Sequence, residues 1–86
     1  MINALIVDDE EEIREVIGDI LSFENVFCEY ATDGLDAIRQ IQRNHYSGIV
    51  LDMKMPELNG IQTLAALQTM EPNLPILVIT GYDDVQ

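Results

Sequence analysis

The chain has 86 residues, 48% of them hydrophobic, which supports one small domain with a real core. Its 16 acidic residues outweigh 4 basic ones and give a formal net charge of −12. Nucleic-acid binding needs clustered Lys and Arg, so direct contact with DNA or RNA is not expected from Arg14, Arg39, Arg43 and Lys54. No apolar stretch approaches the roughly 20 residues that span a bilayer. Met1 leads straight into a strand-like run without a signal peptide, so a cytoplasmic location is the default expectation.

In chain order, Ala4 to Val7 reads as a first strand that runs into Asp8 and Asp9. Glu11 to Ser22 follows as a helix, with Ile13, Val16, Ile17, Ile20 and Leu21 at helical spacing and Gly18 as its weak point. Glu10, Glu11 and Glu12 sit where the helix dipole favours negative charge. Val26 to Tyr30 reads as the second strand and contains Cys28, whose lack of a partner rules out an internal disulfide. Asp33-Gly34 is a turn signal, with Asp33 a candidate cap for a second helix that turns Leu35, Ile38 and Ile41 inward and ends near Asn44.

The third strand is predicted from Gly48 to Leu51, ending on Asp52. Pro56 and Gly60 punctuate the next loop. A third helix follows from about Gly60 to Met70, with Ile61, Leu64, Ala65 and Leu67 available for packing. "EPNLP" breaks it, and Pro75 to Thr80 reads as a fourth strand. Strands and helices alternate, which implies a parallel sheet with right-handed crossovers and helices on its faces. The third and fourth strands lack polar alternation, as expected of strands covered on both sides.

This order places Asp8, Asp9 and Asp52 at strand ends, along the edge of a parallel sheet where ligands bind. Three carboxylates brought together repel unless a cation or protons intervene, so a Mg²⁺ site is expected there. Asp52 is then a candidate nucleophile toward a phosphoryl donor, and the Thr80 hydroxyl a candidate donor to a phosphoryl oxygen. An aspartate-nucleophile phosphatase fits less well, because Lys54 stands where its second acid is needed. No phosphate-binding P-loop motif occurs. His45 is isolated in a loop, and Met53 and Met55 read as loop-packing residues.

Four segments, "LIVDDE", "ATDGLDAI", "IVLDMKMPELNG" and "LPILVITGY", carry a resemblance along nearly the whole chain. It resembles the receiver domain of two-component response regulators. The resemblance implies a doubly wound, flavodoxin-like α/β fold with strand order 2-1-3-4-5. It also implies that a histidine kinase passes a phosphoryl group to Asp52 with Mg²⁺ present. By position, Asp9 resembles the direct metal ligand, Asp8 a ligand through water, and the Lys54 backbone carbonyl a further ligand. Thr80 resembles the hydroxyl residue that senses the phosphate, and Tyr82 is not the family's switch aromatic.

The family pattern continues beyond Gln86 with a fifth strand, its lysine and a fifth helix. Residues 1–86 therefore read as a receiver domain incomplete at its C-terminus. With the fourth strand as an edge, association into a homodimer or strand-exchanged assembly is expected. The competing expectation is a receiver-shaped module that no longer switches and serves only structure or dimerisation.

Overall fold

The computed structural model describes residues 2–53 and 60–79. Seven elements alternate: β1 (Ile2–Val7), α1 (Glu11–Ser22), β2 (Val26–Ala31), α2 (Gly34–Arg43), β3 (Gly48–Asp52), α3 (Gly60–Met70) and β4 (Ile76–Ile79). The strands form one parallel sheet in the order β2-β1-β3-β4. Each element stands where its pattern predicts it, with β1 and β2 slightly longer than their apolar runs. This is the doubly wound, flavodoxin-like arrangement expected from the sequence.

Side chains alternate across a strand, so each strand feeds both faces of the sheet. Leu5, Val7, Ile49 and Leu51 belong to the core beneath α2 and α3, with Ala31, Ala37, Ile41, Tyr46 and Leu67. Ile6 and Val50 point to the opposite face, which α1 covers along β1 and β2. The two central strands are therefore buried on both sides, which explains their unbroken apolar sequence.

β4 departs from that expectation. Leu77 pairs in register with Val50 and is 65% exposed, because α1 reaches only β1 and β2 among the described elements. For the same reason Ile13, Val16 and Ile20 remain exposed rather than buried along α1.

The starts of α2 and α3 follow one rule. Gly34, Ala37 and Ile41 are the buried residues of α2, and Gly60, Thr63 and Leu67 those of α3. Both sets have spacing i, i+3, i+7, so the first glycine of each helix lies on its buried face. The residue after that glycine lies about 100° round the helix and turns outward. Leu35, expected inward, and Ile61, expected to be available for packing, occupy those positions and are exposed. The Asp33 cap is found as predicted: its Oδ1 accepts from the Asp36 amide at 2.8 Å.

Gly18 has a packing reason as well. A Cβ there would run into the Tyr30 hydroxyl, so the helix rests on β2 at its smallest residue.

Candidate functional site

The register of the two central strands builds the site. Val7 pairs with Leu51, so the chain delivers Asp8 and Asp52 side by side at the strand C-terminal ends. Asp9 follows in the turn to α1. One carboxylate oxygen from each of Asp8, Asp9 and Asp52 lies within 4.8 Å of the others. Asp8 and Asp52 are buried, at 3% and 9% exposure, whereas Asp9 is exposed.

Main-chain contacts fix the surroundings. The Asp8 amide donates to the Ala31 carbonyl at 3.1 Å and carries the β1–β2 ladder one residue past Val7. The Glu10 amide donates to Asp8 Oδ1 at 2.9 Å. Arg14 Nη1 donates to the Asp8 carbonyl oxygen at 2.7 Å. Across the site, the Met53 amide donates to the Ile79 carbonyl at 2.9 Å and extends the β3–β4 ladder past Asp52. The Gly60 amide then donates to the Met53 carbonyl at 3.3 Å. A side chain at Gly60 would collide with the Met53 backbone, so the loop after Asp52 needs glycine at its far end.

The electrostatics are those of crowded acids. Burial pushes the Asp8 carboxyl up to about 6. The Glu10 amide opposes that shift, and the charges of Asp52, Asp9 and Glu10 add to it. A cation relieves both causes, by solvating the buried charge and by cancelling the repulsion. An all-oxygen donor set suits a hard ion such as Mg²⁺. Ligands at Mg²⁺ distances sit ~3 Å apart when adjacent and ~4 Å apart when opposite, within reach of these side chains by small rotations.

The structure thus brings together Asp8, Asp9 and Asp52. Lys54 and Thr80, and with them Pro56 and Tyr82, lie outside the described residues. Sequence reasoning missed Arg14, whose only sequence signal is a single cation within an acidic run. It also missed a polar network away from the site. The Tyr46 hydroxyl donates to Glu29 Oε1 at 2.6 Å, and Gln40 Nε2 donates to the Tyr30 carbonyl at 2.7 Å. Burial, reinforced by Glu29, pushes the Tyr46 phenol up to about 12.

A parallel α/β sheet thus carries an acidic trio at its central strand ends, the edge at which such sheets bind ligands. Residues 4–86 match the family described as "Response regulator receiver domain", and the chain belongs to that family. It is 38% identical over 84 residues to "Response regulator MprA" of Mycobacterium sp. (strain KMS), covering 98% of this chain and 36% of that protein. The relative from Mycobacterium leprae (strain TN) is 38% identical over 81 residues, covering 94% of this chain and 36% of that protein. The chain thus spans about a third of the length of these relatives.

Solved structures agree on the fold. Chemotaxis protein CheY4 of Vibrio cholerae superposes with a TM-score of 0.89 at 28% identity, over 98% of this chain and 72% of that one. TrrA of Thermotoga maritima, solved in complex with Mg(2+)-BeF, gives 0.92 at 28% identity over 96% and 72%. The complex of histidine kinase ThkA with TrrA gives 0.90 at 27% identity over 100% and 74%. Among the described residues, no helix is long and apolar enough to cross a membrane.

Proposed function

We propose that this chain is a phosphoacceptor: Asp52 takes a phosphoryl group from a histidine kinase, and the resulting aspartyl phosphate shifts a conformational equilibrium. The observation that carries this reading is the convergence of Asp8, Asp9 and Asp52 at adjacent strand ends in a receiver fold. The Mg(2+)-BeF complex of TrrA and its complex with a kinase support the extension to this chain.

In the proposed step an Asp52 carboxylate oxygen attacks phosphorus. A P–O bond forms, the P–N bond of the donor phosphohistidine breaks, and the imidazole leaves with the electron pair. Asp9 would hold Mg²⁺ directly and Asp8 through water, and by resemblance the Asp52 carboxylate and the Lys54 backbone carbonyl would complete the protein ligands. Bound there, Mg²⁺ neutralises charge that otherwise keeps an anionic nucleophile from an anionic donor. By its position in the sequence, the Thr80 hydroxyl would donate to the transferred phosphoryl group. Burial of Asp52 limits competing water, and the chain acts as a stoichiometric acceptor rather than a turnover enzyme.

The proposed setting is the cytoplasm, without direct nucleic-acid contact by this domain. Self-association through β4 is a separate proposal, supported by its edge position in the described sheet and by exposed Leu77. A single monomeric species by light scattering at micromolar concentration would overturn it.

The decisive experiment is intact-mass analysis after incubation with Mg²⁺ and acetyl phosphate. We expect a gain of one phosphoryl group, abolished by Asp52→Asn and by EDTA. Folded protein that gains nothing favours a purely structural module.

A further inference from the structure

The acidic trio rests on two unequal kinds of support. Asp8 is held at every polar group: amide to Ala31, carboxylate to the Glu10 amide, and carbonyl to Arg14. Asp9 is exposed, and among the described residues no hydrogen bond holds its carboxylate. The backbone therefore sets the direction in which the Asp9 side chain leaves the chain, and among the described residues no hydrogen bond fixes it further. Its amide shares one rigid plane with the Asp8 carbonyl. Whatever fixes that carbonyl fixes the direction in which the chain enters Asp9.

We infer that Arg14 is a positioning residue for the cation site: its bond to the Asp8 carbonyl orients the Asp8–Asp9 peptide and so presents the Asp9 carboxylate to the ion. This rests on the Mg²⁺ reading given above. The bond is short and charge-assisted, at 2.7 Å. Glu11 and Glu15 line the same cavity of about 270 Å³ as Arg14, yet the guanidinium's hydrogen bond goes to the carbonyl. Arg14 also sits within α1, whose first turn it joins by donating its own amide to the Glu10 carbonyl at 3.1 Å. One residue thus ties the helix to the loop that carries both acids. Mg²⁺ demands near-ideal octahedral geometry, so a small rotation of that peptide is felt at the ion.

The test is Mg²⁺ affinity by calorimetry for wild type, Arg14→Met and Arg14→Lys, with metal-free melting curves and amide NMR spectra of the same samples. Methionine keeps an aliphatic stem without the donor, and lysine keeps a donor. We expect Arg14→Met to weaken Mg²⁺ binding about tenfold, the scale typical of residues that orient metal ligands. Its metal-free melting point falls little, the Asp9 and Glu10 amide resonances move more than those of α2, and Arg14→Lys recovers most of the affinity. Where Arg14→Met does not fold, Arg14→Gln makes the same comparison.

A folded variant that binds Mg²⁺ within twofold of wild type overturns the inference and leaves the Mg²⁺ site standing. Shifts spread equally across α2 and β2 overturn it in favour of general packing. Wild type that binds no Mg²⁺ overturns both this inference and the reading beneath it.

Discussion

Asp8 is nearly buried, and its neighbours Asp52, Asp9 and Glu10 are all acidic. A carboxyl held at about 6 instead of 3.8 weakens the metal-free fold at neutral pH by up to about 3 kcal/mol. The sign follows from proton counting. Below 3.8 both folded and unfolded chains carry the proton, so no penalty applies. Between 3.8 and about 6 the folded chain keeps a proton that the unfolded chain has released, so stability falls as pH rises. Above about 6 the decline levels off. Asp8→Asn removes the charge and keeps an oxygen for the Glu10 amide. We expect urea titrations in EDTA to show a shallower decline from pH 4 to 7, and about 1–3 kcal/mol of added stability at pH 7. An unchanged slope would place the effect elsewhere. The aspartates were legible in the sequence because each ends an apolar run. Arg14 was not, because a bond to a main-chain carbonyl leaves no partner side chain to notice. Thr80 was legible as a hydroxyl closing an apolar run, and the Lys54 backbone carbonyl only through the resemblance.

At the scale of elements, glycine does different work at each place it meets a neighbour. At Gly60 the obstacle is the Met53 backbone. Its carbonyl oxygen and carbon lie 2.7 and 2.8 Å from where a Cβ would stand, and a strand end cannot move aside. At Gly18 the obstacle is the Tyr30 hydroxyl, the far end of a side chain that is 43% exposed and free to swing outward. We therefore expect Gly60→Ala to lose about 1–3 kcal/mol in chemical denaturation. Gly18→Ala should change stability by under about 1 kcal/mol, since helix propensity offsets the displaced tyrosine. Equal losses at the two sites would contradict this account. Element order and parallel topology were readable because periodicity and turn residues agree along the chain. Helix rotation was not. Apolar spacing pointed to Leu35, Ile61 and Val16, whereas the buried residues of the helices include Gly34, Gly60 and Gly18. A glycine carries no hydrophobic signal, so its place on the buried face is invisible to a pattern built on large side chains.

The whole molecule carries a net charge of −12 and repels itself. We expect the melting point of the metal-free chain to rise with NaCl, and to rise further with MgCl₂ at matched ionic strength. Asp9→Asn should remove the Mg²⁺ excess and leave the NaCl response intact, which circular dichroism melts can check. The same separation of local from global has a consequence for length variation. Asp8 and Asp52 are brought together by the β1–β3 ladder, which does not depend on the length of the turns between them. An inserted residue at the Glu24–Asn25 turn, where Asn25 already sits at a φ of 62°, leaves that ladder untouched. One inserted within β3 slips its pairing and turns Asp52 to the other face of the sheet. Insertion scanning of this chain should therefore divide sharply, with tolerant joints at the strand N-terminal rim and none inside the two strands whose ends hold the acids.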